Sequence, residues 1–142
     1  MPGTGATPPI TYALAWYDGT NHSNAEAIPT KLGKTVKNID VELSPQGTIS
    51  GTAVDTSGNA ISGFVWAEDF ATGYALSYGE DFPGTTFTIG YLPTTTVLLR
   101  WDTPTGTRYW DGTRTGTANR AKAVPIKTKA GQAITGLKIL VK

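Results

Sequence analysis

Few side chains in this sequence are able to carry out acid–base or nucleophilic chemistry. His22 is the single histidine, and the chain contains no cysteine. Thiol catalysis, a serine–histidine pair and a histidine metal site therefore lack the residues that they need. Two carboxylate pairs remain, Glu68-Asp69 and Glu80-Asp81, and paired carboxylates can act as general acid and general base. In the hairpin predicted below, 69 lies near the turn and 80–81 near its opposite end, so we expect no catalytic residue, no cofactor and no enzymatic activity.

Acidic turns raise the question of calcium binding. The turn at Asp55 and the carboxylates of Glu80-Asp81 would meet at one end of a sandwich, and Ca²⁺ prefers several oxygen ligands. A dense Asp-x-Asp-x-Asp loop is missing from the sequence, so we interpret these residues as ordinary turn carboxylates and predict no metal site. Asn21-His22-Ser23 fits a glycosylation sequon, a three-residue pattern that often occurs by chance.

Aromatic residues give the sharpest functional signal. Phe64 and Trp66 alternate with smaller apolar residues along a predicted strand, and Tyr91 is a further ring. Exposed rings form flat apolar platforms on which the C–H faces of sugars stack, and carboxylates at the edge accept hydrogen bonds from sugar hydroxyls. The candidate ligand-binding residues are therefore Trp66, Phe64 and Tyr91 for stacking, with Glu68 or Asp69 as hydroxyl acceptors.

Two structural interpretations of the same rings stay open. The rings belong to the core if the assignment of strand faces is wrong by one residue, because alternate side chains point to opposite sides of a sheet. Alternatively, they are covered by an N-terminal strand at 11–17, which carries Tyr12, Leu14 and Trp16. In both cases the rings stabilise the fold instead of binding a ligand.

The elements that must position these residues are β-strands. Short runs of β-branched and aromatic residues alternate with turn-forming breaks such as Asp55-Thr56-Ser57-Gly58-Asn59, the pattern of an antiparallel sheet. The chain contains 24 Thr, 17 Gly and 9 Pro residues, which favours strands and turns over helices. Strands are predicted at 47–54, 63–70, 73–79, 85–91, 95–101, 107–110, 122–128 and 134–141. The residues predicted to face the core include Val65, Ala67, Val97, Leu99 and Trp101.

The first 45 residues, which we call the leader, repeat the end of the chain. Trp16-Tyr17-Asp18-Gly19-Thr20 matches Tyr109-Trp110-Asp111-Gly112-Thr113, and 30–36 matches 128–134. The alternating Ile39, Val41 and Leu43 fall on Leu137, Ile139 and Val141. The two copies are offset by 93 residues at the Asp-Gly pair and by 98 at Gly33 and Gly131, the length of an immunoglobulin-sized sandwich. We therefore assign 1–45 to the C-terminal strands of a preceding partial repeat and 46–142 to a complete module; chance similarity of two Thr-rich hairpins is the alternative.

Two segments resemble a known family. GTISGTAVDTSGNAISGFVWAEDFATGY, which begins at Gly47, and FTIGYLPTTTVLLRW, which ends at Trp101, are similar to the carboxypeptidase regulatory-like domain. The resemblance covers about 47–142 and implies an all-β, antiparallel Ig-like or prealbumin-like β-sandwich, related in architecture to the B-type repeats of Gram-positive adhesins. With the leader, we expect this sandwich to carry extra N-terminal strands from the preceding partial repeat.

Three positions depart from the family pattern. Tyr91 stands where the family usually has Gly, and Thr94-Thr95 replaces Pro-Gly. Adhesin B-type repeats often contain a Lys–Asn isopeptide bond. The first strand, 48–54, has no Lys and the last, 134–141, has no Asn, so no such bond is predicted here.

Function is expected from the resemblance and from the charge balance. The 12 Lys and Arg residues against 11 Asp and Glu give no strong field for nucleic acid, and no apolar run approaches the roughly 20 residues of a membrane span. We expect a non-catalytic spacer or adhesion repeat of a secreted or cell-surface bacterial multidomain protein. Its partners would be neighbouring domains, with strand-swapped or head-to-tail self-association through the leader. The alternative is a carbohydrate-binding module of a polysaccharide-active enzyme, with polysaccharide or cell wall as the partner.

Overall fold

The computed structural model describes residues 10–17, 19, 24–60, 64–78 and 85–142. The strands in this part are β1 (Gly47–Val54), β2 (Val65–Asp69), β3 (Ala75–Tyr78), β4 (Thr86–Leu92), β5 (Thr95–Thr103), β6 (Gly106–Tyr109), β7 (Ile126–Thr128) and β8 (Ala133–Leu140). A single turn of 3₁₀ helix, Arg120–Lys122, lies between β6 and β7. Every strand predicted from 47 onward is present, with ends within four residues of the predicted ones.

The strands form a β-sandwich of two sheets. The first has three strands in the order β4-β1-β8, and the second has the order β3-β2-β5-β6, with β7 also paired to β5. Val97 pairs with both Asp69 and Ile126, and Arg100 with both Trp66 and Tyr109. The strands β6 and β7 therefore share the edge of β5 that faces away from β2. The all-β sandwich predicted from the sequence is confirmed.

The core lies between the sheets, and alternation along the strands supplies it. Its buried members are Ile49, Ala53, Val65, Ala67, Phe87, Ile89, Leu92, Val97, Leu99, Trp101, Leu137 and Ile139. Trp101 is 0 % exposed, and its Nε1 donates a hydrogen bond of 3.3 Å to the carbonyl of Leu140 in the opposite sheet. The predicted core faces of β2 and β5 are thus confirmed.

One connection and one strand pair distinguish this sandwich from a simple antiparallel meander. Between β4 and β5 there are two residues, Pro93 and Thr94, yet the two strands belong to different sheets. The strand pair is β1–β8, which is parallel, whereas the remaining pairs of the described strands are antiparallel. Because β7 lies on β5, the turn at 129–132 carries the chain across to the other sheet, where β8 runs in the direction of β1.

Neither the strand predicted at 11–17 nor the alternating segment 38–43 forms a strand. In its described residues the leader makes isolated bridges, between Tyr12 and Pro45 and between Trp16 and Gly19. A strand needs a neighbour to complete its hydrogen bonds, and none of the described strands pairs with 38–43. The alternating pattern of 38–43 thus has no neighbouring strand in the described part of the chain, and the assignment of 1–45 to a preceding partial repeat stays a prediction.

Candidate functional site

Trp66 belongs to a row of side chains across the outer face of the five-stranded sheet. Trp66 pairs in register with Arg100 of β5, which pairs with Tyr109 of β6. The guanidinium carbon of Arg100 lies 4.5 Å from the centre of the Trp66 ring and 5.9 Å from that of Tyr109. The Nε of Arg100 is buried and has no hydrogen-bond partner among the described residues. The two rings therefore hold this guanidinium chiefly through cation–π contacts, worth about 0.5–2 kcal/mol each.

Glu68 lies on the same outer face and is ion-paired. It is 4 % exposed, and its Oε1 accepts a hydrogen bond of 2.6 Å from the Nε of Arg120. Its Oε2 lies 3.5 Å from the Nη1 of Arg100. A buried carboxylate needs such partners because the loss of water disfavours its charge. A sugar hydroxyl at Glu68 would have to compete with both arginines.

Asp69 stabilises the turn between β2 and β3. It is 2 % exposed, and its Oδ2 accepts hydrogen bonds from the backbone N–H of Thr72 at 3.1 Å and from the Thr72 hydroxyl at 2.7 Å. The Oδ1 accepts a third, from the hydroxyl of Thr95 at 3.3 Å. Both carboxylate oxygens are therefore engaged within the fold.

Phe64 directly precedes β2 and Phe70 directly follows it. Their side chains are 56 % and 49 % exposed. Since Val65 and Ala67 face the core, Phe64 and Trp66 share the outer face, as the sequence predicts. The interpretation of Phe64 and Trp66 as core residues is excluded.

Tyr91 lies on the other sheet, so it does not join Phe64 and Trp66. The register of β1 and β4 shifts between Gly47 and Ile49, whose partners are Leu92 and Ile89. Two residues of β4 thus face one of β1, which is a β-bulge. Tyr91 adopts a φ of 59° in this bulge, and its side chain is 60 % exposed while Leu92 returns to the core. The bulge reverses the alternation and explains why glycine suits this position.

The backbone of Tyr91 is held from two directions. Its N–H donates to the side-chain oxygen of Gln46 at 2.8 Å, and its carbonyl accepts from the N–H of Leu14 at 2.7 Å. The leader runs past this point, and with Leu76 and Ser77 of β3 it lines an open, mostly apolar groove of about 570 Å³. The groove is lined by Tyr12, Ala13, Leu14, Ala15, Leu76, Ser77 and Tyr91. The leader thus contacts Tyr91, one of the candidate rings.

The arginines that neutralise Glu68 are not among the site residues predicted from the sequence. Arg100 alternates with core residues of β5, so its place on the outer face was readable from the sequence. Arg120 lies 52 residues from Glu68 on an irregular connection, and no local pattern indicates that it reaches the sheet.

Asp111 shows how the acidic turns are used. Its Oδ1 accepts hydrogen bonds from the hydroxyl and the backbone N–H of Thr113, at 2.6 Å and 2.9 Å. The hydroxyl bond, followed by the backbone bond, holds the pKa of Asp111 below its ordinary value. Asp55 closes its own turn in the same way, accepting from the N–H groups of Ser57 and Asn59.

Several sequence predictions lie outside the described residues: His22, the sequon at 21–23 and the Glu80-Asp81 pair. In the part of the chain that the structure describes, no group of three or more His, Cys, Asp or Glu side chains is close enough to hold a metal ion. Within the same residues, no helix is long and apolar enough to cross a membrane.

Comparison with known proteins assigns no family. The chain has no significant match among protein-family models, curated proteins or solved structures.

Proposed function

We propose that this chain is a non-catalytic spacer or adhesion repeat of a secreted or cell-surface bacterial multidomain protein. The observation that carries the proposal is the internal repeat, because its two copies agree in backbone geometry as well as in sequence. In one copy the N–H of Lys34 donates to the carbonyl of Lys31 at 3.0 Å, and in the other the N–H of Gln132 donates to the carbonyl of Lys129 at 3.0 Å. A repeated sandwich is the natural unit of a stalk.

The engagement of the carboxylates supports a structural role. Glu68 is neutralised by two arginines, and Asp69 is used to close a turn. General acid–base catalysis needs a carboxyl group within reach of a substrate, and these two are satisfied by their own fold. The resemblance to carboxypeptidase regulatory-like, Ig-like or prealbumin-like modules, which are mostly accessory, points in the same direction and is the basis for the proposed location.

Small-angle X-ray scattering tests the spacer role. Two full chains joined end to end should give an elongated particle, longer than the single chain by about the length of one module. A tandem that collapses into one compact particle would contradict the role of a spacer.

The alternative function, a carbohydrate-binding module of a polysaccharide-active enzyme, is favoured by a different observation. Phe64 and Phe70 are each about half exposed, at 56 % and 49 %, at the two ends of the strand that carries Trp66. Half-exposed rings supply stacking surface for a sugar, and the Arg100 guanidinium against the Trp66 ring supplies hydrogen-bond donors. In this candidate Phe64 and Trp66 form the platform, and Tyr91 is a separate ring on the opposite sheet.

A pull-down separates the two functions. The full chain is incubated with insoluble cellulose, chitin, xylan and bacterial cell walls, alongside Phe64→Ala, Trp66→Ala and Tyr91→Ala. Leu32→Ala is the matched control, because Leu32 is an apolar leader residue that is fully exposed. Retention that is lost in Phe64→Ala and kept in Leu32→Ala would establish the sugar platform. Equal retention of all variants would count against it, and absence of retention on every polymer would favour the spacer.

A further inference from the structure

Residues 36–43 of the leader carry the backbone signature of β8. The turn that precedes them has Gly33 at a φ of 76°, and the turn before β8 has Gly131 at 80°. Three residues into the aligned segment, Asn38 has a φ of 61° and its counterpart Gly136 has 80°. A positive φ is uncommon for a residue other than glycine, and asparagine tolerates it best. Asn38 and Gly136 therefore share a left-handed backbone conformation although they differ in residue type.

The side chains of the two segments differ sharply in burial. In β8, Leu137 and Ile139 are 8 % and 1 % exposed, because β8 lies beside β1 and faces the core. Their leader counterparts, Ile39 and Val41, are 37 % and 45 % exposed. An alternating apolar face of this kind is typical of a strand that covers a core. In the leader this face has nothing among the described strands to cover.

We propose that 36–43 is the last strand of a preceding sandwich of the same kind and pairs in parallel with that sandwich's first strand. The inference rests on the proposed function as a repeat and names the partner of the leader. The partner is a second sandwich with a β1-like strand whose free edge awaits a β8-like strand. This is strand addition to a sheet edge, with main-chain hydrogen bonds for affinity and alternate side chains for specificity.

The register of β1 and β8 defines what the partner strand must offer. Gly51 pairs with Leu137, and a Cβ at Gly51 would collide with the Leu137 carbonyl. Ala53 pairs with Ile139. The strand that receives 36–43 therefore needs a glycine opposite Ile39 and a small residue opposite Val41.

The connection that follows this strand is short and held in place. Residues 44–46 join it to β1, and the N–H of Ala13 donates to the carbonyl of Ser44 at 2.8 Å. The N–H of Gln46 donates to the carbonyl of Thr11 at 2.8 Å, while the side chain of Gln46 accepts from Tyr91. A three-residue joint with these hydrogen bonds would limit the bending between consecutive sandwiches.

A strand-replacement chimera tests the pairing. In it, residues 1–127 are followed directly by residues 30–142, so that the leader segment takes the place of β8 in the first module. The matched control is a tandem in which residues 1–142 are followed by residues 45–142, which keeps the authentic β8 in the same position and the joint at the same length. Both proteins are compared with the natural chain by hydrogen exchange of backbone amides and by thermal unfolding.

The first module of the chimera should fold as it does in the control. In the copy that follows residue 127, the amides of Ile39 and Val41 should exchange about 10³-fold more slowly than in the natural chain, as expected for a strand within a cooperatively folded module. A dimer formed by strand exchange would show the same protection and support the pairing. Amides that exchange as fast as in the natural chain, beside a folded second module, would overturn it.

A double variant guards against non-specific protection. Ile39→Asp with Val41→Asp should leave the unfolding temperature of the natural chain unchanged. The same pair, placed in the copy that follows residue 127, should unfold the first module of the chimera. A chimera whose first module unfolds at the same temperature with and without the two aspartates would also overturn the proposal. Because none of these readouts involves a polysaccharide or the shape of a stalk, failure here is distinguishable from failure of the proposed function.

Discussion

The Nε of Arg120 lies 2.6 Å from the Oε1 of Glu68 and joins the connection between β6 and β7 to the outer face of the five-stranded sheet. The Nη2 of Arg120 also lies 3.4 Å from the carbonyl of Phe70. Beside Glu68, Leu98 is 1 % exposed although it points away from the core. The outer face therefore has a small buried centre of its own, closed by a charged residue from the irregular segment.

Loss of Arg120 should weaken the fold measurably. Arg120→Ala leaves Glu68 with Arg100, whose Nη1 is 3.5 Å away, and we expect the free energy of unfolding to fall by about 1–2 kcal/mol after allowance for the partial exposure of Arg120. Urea denaturation measures it. Lys122→Ala on the same 3₁₀ helix is the control and should change stability by less than about 0.5 kcal/mol. Equal losses in both variants would contradict a specific role for the ion pair.

Gly116 is constrained by close approach as well as by its backbone. Its φ is 68°, and a Cβ there would lie 2.5 Å from Cη2 of the buried Trp101. Gly116→Ala should therefore cost about 2–5 kcal/mol, the sum of left-handed strain and overpacking. Gly58 has a φ of 81° with open space around it, so Gly58→Ala should cost only about 1–2 kcal/mol. Thermal unfolding of the two variants isolates the contribution of overpacking against Trp101. Equal costs for Gly116→Ala and Gly58→Ala would contradict that contribution.

The strands from 47 to 140 were predictable because they carry their own alternation. The residues of β2 and β5 that face the core follow directly from the pleat, and the turn at Asp55 follows from its residue types. The leader was harder for a physical reason. Ile39 and Val41 alternate as Leu137 and Ile139 do, but a strand forms only when another strand accepts its hydrogen bonds.

The candidate site was predicted in part. Phe64 and Trp66 share the outer face as expected, since both positions depend on one strand. Tyr91 is exposed, as a stacking ring must be, but it lies on the other sheet because β4 pairs with β1. Its outward orientation depends on a bulge that is held by Gln46, which is 45 residues away. Likewise, the neutralisation of Glu68 depends on a contact with the irregular segment. Tertiary contacts of this kind produce no periodic pattern in the sequence, so they could not be predicted from it.

Asp111 should make stability depend on pH in acid. Its pKa in the folded chain lies below the ordinary value of 3.8, so its contribution is present above about pH 4 and is lost as the pH falls through the folded-state pKa. Thr113→Val removes the hydroxyl donor and should raise the pKa of Asp111 towards its ordinary value. A carboxyl NMR titration follows it directly. Thr107→Val, which removes a donor to Asp102, should leave Asp111 unchanged, and a pKa unmoved by Thr113→Val would contradict the assignment.

At position 91, the usual order of stability of alanine and glycine variants should be reversed. In an ordinary strand position glycine is less stable than alanine by about 0.5–1 kcal/mol, because it loses more conformational freedom on folding. At a φ of 59°, however, alanine keeps a left-handed strain of about 1–2 kcal/mol that glycine lacks. We therefore expect Tyr91→Gly to be more stable than Tyr91→Ala by up to about 1.5 kcal/mol in urea denaturation. Thr88, exposed on the same strand, should show the ordinary order, and the same order at both positions would mean that the bulge does not strain Tyr91.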